Sequence, residues 1–338
     1  MARKVLLSSS NSYASTRHCF ASNLPHRHDS STPDTTTTRR SAAQHRARVV
    51  RICQGHHGEI LQGVFYDSAG RKRRGLVTLP CPVFKTVAWA GCRDDDRLEV
   101  VPKEKTNVRK ALLLLFEHFS VRHAGVSVRL QSNIPIGFGL GSSTADIVAA
   151  MRACADALAL PVTNEQLFSF AVAAEEASDA TMFSGNAHLV AHREGLVLEE
   201  FPAPLPTMGL ISVNTAPDQP VRTQHFPPAR YSPEEVQRLQ NLRSHLRTAL
   251  ADRDPYAIGK VATKSALINQ RRLPQTGLPE IVKLARNAGA YGVQVAHSGR
   301  MVGVLVPPDL PRDAPMIHHI QEGIQDLGLF PTHIRRIE

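Results

Sequence analysis

Between Val126 and Gln131 apolar and polar side chains take turns: Val126, Val128 and Leu130 against Ser127, Arg129 and Gln131. Successive side chains of a strand point to opposite faces, so this period of two predicts a half-buried strand. A glycine-rich stretch follows, and then the period changes. From Ser143 to Leu160, the apolar Ile147, Met151, Cys154 and Leu158 recur at steps of three and four, the stripe of a helix that buries one face. Pro161 lies just past its end. Thr163-Asn-Glu-Gln166 has the form of a capping box and opens a second helix. Leu167, Phe170, Ala171 and Ala174 line the inner face of that helix, and Glu175 and Glu176 stand near its end.

The same reading predicts a short strand at Val49–Cys53, a turn at Asp67–Gly70, strands at Leu76–Leu79 and Val83–Trp89, and a helix from Asn107 to Phe119. The apolar run Ala111–Phe116 is far below the roughly 20 residues that span a bilayer. The Pro-rich span Phe201–Pro206 marks a passage between domains. Beyond it come a strand at Leu210–Val213, helices around 233–250 and 255–270, a helix from Pro279 to Ala288, and a glycine-punctuated strand pair over Gly289–Val306. No internal repeat is visible. Domains of 49–204 and 205–338 are expected, behind a leader of residues 1–48.

Composition changes the picture mainly at that leader. Of the formal charge of +10, residues 1–48 supply +6 through eight Lys/Arg against Asp29 and Asp34. The folded remainder is left with +4, and it has no basic motif interleaved with aromatics, which argues against nucleic acid as a partner. The leader is rich in Ser, Thr, Arg and His and has almost no hydrophobic periodicity, so disorder is expected there. Its acid-poor composition also resembles a transit peptide, with a plain tail as the blander reading. The five cysteines are odd in number and contain no C-x-x-C pair. That argues against a disulfide framework and a zinc site, and a reducing cytoplasm fits.

The glycine-rich stretch is Pro135-Ile-Gly-Phe-Gly-Leu-Gly-Ser-Ser-Thr-Ala145. A strand, a glycine turn and a helix start make an anion site, because the first helical turn has free N–H groups and the positive end of the dipole. Gly137, Gly139 and Gly141 let backbone approach a polyphosphate, and Ser142, Ser143 and Thr144 add hydroxyls. Two nucleotide loops are excluded. A Walker-A loop needs G-x-x-x-x-G-K-[ST], and no Lys lies between Gly137 and Ala145. A dinucleotide fingerprint needs a third glycine where Ser142 stands.

The eleven residues resemble the P-x-G-x-G-L-G-S-S-x-A signature of the GHMP kinases, and the resemblance extends over about residues 49–338. It implies an α+β fold of two domains, an N-terminal one with a left-handed βαβ unit and a C-terminal ferredoxin-like one, with the active site between them. Within the family, four segments resemble the L-threonine kinase branch: Gly58–Gly63, Glu176–Asp179 with Met182-Phe183, Ala262–Gln270 and Val295–Gly299. The chain departs from that branch at Ala177, where proline is expected, and at Gly55-His56-His57.

The resemblance implies ATP and Mg²⁺ as cofactors and a small amino-acid alcohol as acceptor, with L-threonine as first choice. Homoserine, serine or another hydroxyl metabolite, and a silent metabolite-binding regulator, are the alternatives. Pro135, Gly137, Gly139, Leu140, Gly141, Ser142, Ser143 and Thr144 are carried over as ATP-binding, and Asp179 as the base beside the acceptor. Glu176 is carried over as catalytic carboxylate and, with Ser143, as metal ligand; Glu175, one residue away, stays an alternative. Glu59, Gln62, His57, Thr263 and Ser298 are carried over as acceptor contacts, Glu59 for an ammonium group. Neither H-E-x-x-H nor a third ligand accompanies His56 and His57, so a zinc site is not expected there. No membrane partner is expected, and the oligomeric state stays open, a homodimer included.

Overall fold

The computed structural model describes residues 48–121, 125–217 and 230–337. The expectation of a disordered leader therefore falls outside the described residues. One mixed sheet of ten strands runs through the described chain. Its backbone is the pair β1 (Val49–Tyr66) and β2 (Lys72–Arg93), antiparallel over almost their whole length. Asp67 turns the chain between them, its Oδ1 accepting from the N–H groups of Ala69 and Arg71.

Both strands are longer than the sequence pattern suggests. Gly55, Gly58, His56, His57 and Glu59 read as loop, yet β1 continues through them with register shifts after Gln54, His56 and Glu59. Such bulges add unpaired residues and re-aim side chains without ending the pairing. In β2, Pro80 and Pro82 divide the pattern in two. The ladder keeps Pro80, opposite His56, and leaves out Pro82, because Gln54 pairs with Lys85 while its neighbour Gly55 pairs with Cys81, so that the residues between Cys81 and Lys85 lie outside it.

β3 (Leu98–Val101), α1 (Thr106–His118) and β4 (Gly125–Ser132) form a βαβ unit, with β3 and β4 the parallel pair of the sheet. The predicted alternation in β4 holds: Val126, Val128 and Leu130 are buried. α2 (Ser142–Ala157) and α3 (Asn164–Glu175) pack with α1 on this end of the sheet, around Leu112, Ile147, Met151 and Phe168. α3 opens on the full reciprocal box, Thr163 Oγ1 accepting from the Gln166 N–H and Gln166 Oε1 from that of Thr163.

The hairpin β5 (His188–Ala191) and β6 (Leu196–Glu200) leans on β2. β7 (Met208–Asn214), β8 (Gly292–Val295), β9 (Met301–Val306) and β10 (Pro331–Ile337) complete the sheet, in the order β10-β7-β9-β8-β1-β2-β4-β3. α4 (Pro233–Ala251) and α5 (Pro255–Asn269) cover its middle, where Leu239, Leu246 and Val261 meet Ile60, Leu61 and Phe65 of β1. α6 (Leu278–Asn287) and α7 (Pro315–Asp326) cover the β7–β9 end through Ile281, Ile317 and Ile320. No helix of the described residues is long and apolar enough to cross a membrane. Cys53, Cys81 and Cys154 are buried free thiols.

Candidate active site

The glycine loop connects β4 to α2, and its geometry follows from its glycines. Gly137, Gly139 and Gly141 all have positive φ, at 86°, 75° and 75°. Gly141 is the N-cap of α2 and no side chain caps the helix there. The first N–H groups of α2 thus have no capping side chain and border a cavity of about 800 Å³, within the usual span of ligand sites. All the loop residues named from the sequence line this cavity: Pro135, Gly137, Gly139, Leu140, Gly141, Ser142, Ser143 and Thr144. A Cβ on Gly139 would lie 2.8 Å from the backbone N of Gly299, so the segment Val295–Gly299 closes against the glycine loop, main chain on main chain. The fit to a polyphosphate is that of an uncapped helix start under a cradle that has no room for side chains.

A hydroxyl and carboxylate cluster follows α2. Thr144 Oγ1 donates to Glu175 Oε1 at 2.7 Å, pairs with Ser178 Oγ at 3.1 Å, and accepts from the Asp179 N–H at 3.3 Å. The Ser178 N–H donates to the carbonyl of His192, so the segment after α3 is pinned from both sides. Burial pushes the Glu175 carboxyl up to about 7, with the Asp179 charge adding and the hydroxyls of Ser143 and Thr144 opposing. Glu176 sits differently. It is the exposed C-cap of α3 with φ of 69°; it lines the cavity as Glu175 does but makes no hydrogen bond to those hydroxyls. A set of hard oxygens suited to Mg²⁺ is therefore offered by Ser143 and Glu175.

Asp179 is 8% exposed and faces two imidazoles. His56 Nε2 is 3.0 Å from Asp179 Oδ2, and His297 Nδ1 is 4.0 Å from Oδ1. A Cβ on Gly141 would stand 2.4 Å from the His56 ring and 3.4 Å from Asp179 Oδ2, so this pair abuts the start of α2. Burial alone would lower the pKa of His56; the charge and hydrogen bond of Asp179, with Glu59 behind, push it up to about 9. Burial would raise Asp179, but His56 and then His297 and His192 hold it well below the usual carboxylate range. His192, buried beside His297, is pushed down to about 3.

The remaining residues named from the sequence divide. Gln62 and Ser298 line the cavity, and Gln62 Nε2 is held by the carbonyl of Val295 at 3.0 Å. Glu59 does not line it. Its carboxylate is spent on His297, accepting the backbone N–H at 2.6 Å and meeting Nδ1 at 2.8 Å. A buried carboxylate engaged in this way orients an imidazole, and at 1% exposure it lies behind the cavity wall. His57 is fully buried between Ser212 Oγ at 2.7 Å and Gln294 Nε2 at 2.5 Å, and burial lowers its pKa to about 3. Thr263 Oγ1 donates to the carbonyl of Gly259 and accepts from the Val293 N–H, clamping α5 to β8.

Sequence reasoning missed several groups. His297 lies inside the quoted segment Val295–Gly299, but its link to Glu59 spans the chain and leaves no local pattern. His192, Arg74, Arg193, Arg271 and Arg272 also line the cavity. The arginines come from β2, from the second residue after β5 and from the segment just past α5, places joined only by the fold. Deeper, Asp146 is buried on α2 and takes Lys105 Nζ at 2.5 Å and Thr86 Oγ1 at 2.7 Å, tying the helix to the sheet.

Comparison with known proteins agrees with this geometry. The model of the GHMP kinases N terminal domain matches residues 106–186, and that of the GHMP kinases C terminal domain matches residues 246–314. An L-threonine kinase of Salmonella typhimurium is 28% identical over 262 residues, covering 76% of this chain and 82% of that protein. A homoserine kinase of Pyrococcus abyssi is 27% identical over 237 residues, 68% of this chain and 74% of that protein. The crystal structure of homoserine kinase from Cytophaga hutchinsonii superposes with a TM-score of 0.65 at 16% identity, covering 90% of this chain and 97% of that one. With both family domains present on the family's fold, this chain belongs to the GHMP kinases.

Proposed function

We propose that this kinase transfers the terminal phosphoryl group of ATP to the hydroxyl of a small amino-acid alcohol, with L-threonine first among threonine, serine and homoserine and O-phospho-L-threonine its product. The observation that carries the reading is the approach of Asp179 to the start of α2: one carboxylate borders both the phosphate cradle and the rest of the cavity. An acceptor hydroxyl beside Asp179 would then stand in line with a phosphate held by the loop. The two curated relatives, a threonine kinase and a homoserine kinase, support a hydroxy amino acid as the acceptor class.

Phosphoryl transfer asks little covalent chemistry of a protein and much positioning and charge neutralisation. The N–H groups of α2 and the loop backbone would hold the phosphates. Ser143 and Glu175 would hold Mg²⁺, which when bound neutralises charge on the phosphate oxygens. Asp179, kept ionised by His56, would accept the hydrogen bond of the acceptor hydroxyl and take its proton as the bond to phosphorus forms. Its low pKa makes it a weak base, so orientation is the larger part of its work. Gln62 and Ser298 are the wall residues nearest in type to contacts for the acceptor's polar groups.

The test is ADP release with Mg²⁺-ATP against threonine, serine and homoserine. Turnover led by threonine is expected. ATP binding without turnover of any of the three would remove the acceptor class and favour the silent-regulator alternative.

A further inference from the structure

The cavity wall bears more positive charge than a nucleotide loop and a zwitterionic amino acid require. Arg74 on β2 and Arg193 just past β5 are brought together by the pairing of Gly75 with Ala191. Neither guanidinium has a hydrogen-bond or ion-pair partner among the described residues. Arg271 and Arg272, just past α5, line the same cavity. The acids around them are already engaged. Glu194 lies 3.6 Å from Arg73, and Glu235 takes Arg271 at 2.6 Å and the Ser232 N–H at 2.9 Å.

The group is also held in place. The guanidinium of Arg272 stacks on the Tyr231 ring at 3.3 Å and donates to the carbonyl of Arg230, while its Nε is buried with no partner. Arg74 is half-buried; burial and then the charges of Arg193 and Arg272 destabilise its cation. Glu235 serves Arg271 and, at 4.0 Å, Arg272, whereas a part-buried Arg74 with Arg193 beside it and no acid of its own costs stability unless an anion completes the pair. The phosphates of ATP have their donors in the loop and the start of α2. One carboxylate takes one guanidinium fork, so the carboxylate of an amino acid accounts for Arg272 and leaves the Arg74–Arg193 pair.

We propose that Arg74 and Arg193 form a second anion subsite, and that the favoured acceptor bears a further carboxylate or phosphate beyond the single carboxylate of threonine. This rests on the kinase reading of the same cavity. It names the acceptor as a hydroxy compound with two anionic groups, one taken by Arg272 at the α5 end and one by the β2–β5 pair. The nearest probe of this class is 3-hydroxyaspartate, which is threonine with its methyl exchanged for a carboxylate. Glycerol 3-phosphate probes a phosphate in the same place.

Steady-state rates with Mg²⁺-ATP are compared for L-threonine, 3-hydroxyaspartate, glycerol and glycerol 3-phosphate. Removing a charged hydrogen-bond partner is a change of about tenfold or more. The expected result is a kcat/KM for 3-hydroxyaspartate over threonine, or for glycerol 3-phosphate over glycerol, of at least that size; which pair responds identifies the anion. Arg74→Gln and Arg193→Ala should each cut that ratio by a similar factor. Arg193 is exposed, so its variant also guards against misfolding at Arg74. Equal or better use of the uncharged partner in both pairs overturns the proposal. So does an unchanged ratio in both variants, or a loss confined to the KM for ATP. Calorimetric binding of the two anionic probes in the presence of Mg²⁺-ADP reads the subsite without turnover. Binding weakened by Arg193→Ala supports it even where no probe is phosphorylated, a result that would count against the acceptor class alone. No binding of either probe overturns it.

Discussion

The imidazole of His56 meets the carboxylate of Asp179 at 3.0 Å, Nε2 to Oδ2, with only 1% of the histidine side chain exposed. A buried ion pair of this kind fixes the state of both partners, because removing either leaves an uncompensated charge. His56 enters the site from a bulged stretch of β1 and Asp179 from the segment after α3. The pair therefore couples the chain's first conspicuous motif to its proposed base.

His56→Gln should shift the acid limb of kcat to higher pH, since Asp179 loses the cation that depresses its pKa, whereas His56→Lys should restore the profile. The stability effect has a defined window. The raised pKa of His56 lends stability that is full below its ordinary value of about 6.5, and that stability is lost as pH rises through about 9. The depressed pKa of Asp179 lends stability present above the ordinary carboxylate range and lost only as pH falls through its lowered value. The Tm gap between wild type and His56→Gln should thus be widest near pH 5–6 and narrow by about pH 9.5. A gap that widens with rising pH would contradict the pairing.

Asp179→Asn keeps the shape of the site and removes its charge. Turnover should fall by about 10²–10⁴-fold, the usual contribution of a positioned base, while ATP affinity changes little. Coupled ADP release and equilibrium ATP binding separate the two. Undiminished kcat would retire Asp179 from the mechanism.

Glu175→Gln and Glu176→Gln are adjacent substitutions with opposite expectations. Glu175 meets the Thr144 hydroxyl at 2.7 Å, so its loss should raise the Mg²⁺ concentration needed for half-maximal rate by about tenfold or more. Glu176 lines the cavity but is exposed and bonds neither hydroxyl, so its variant should move that concentration by only about twofold, the worth of a solvent-screened charge. A magnesium titration of both decides between them.

Gly299→Ala would bring a Cβ to 1.9 Å from the carbonyl oxygen of Phe138. One of the two facing loops must move, and displacements near 1 Å in a reacting site cost about 100-fold. The expected result, read by steady-state ADP release, is a kcat/KM for ATP lower by about that factor.

The parts of this molecule legible in the sequence were those whose cause is local. Alternation at Val126–Leu130, the box at Thr163–Gln166 and the glycine signature each depend on neighbours within one turn or strand, and the structure reproduces them. β1 was cut short because bulges at glycine and histidine positions look like loop until a partner strand is present. Glu59 reads as an ammonium contact in the sequence because a carboxylate in a motif advertises charge and conceals what it is bonded to. His297 supplies that bond from far along the chain. Glu175 and Glu176 look alike in the sequence; only the fold shows that Thr144 bonds the first while the second takes a left-handed cap.

β1 has a consequence for folding as a whole. Its first half pairs with β2 beside α2, and its second half buries Ile60, Leu61 and Phe65 against Leu239, Leu246 and Val261 of α4 and α5. A chain severed at the Pro-rich passage near 201–206 would strip those three side chains of their cover. The N-terminal fragment would then present an open apolar sheet to water, prone to aggregate before it could bind a nucleotide. Recovery of activity would require both fragments to meet while still incompletely folded, so the two family regions are expected to melt in one transition.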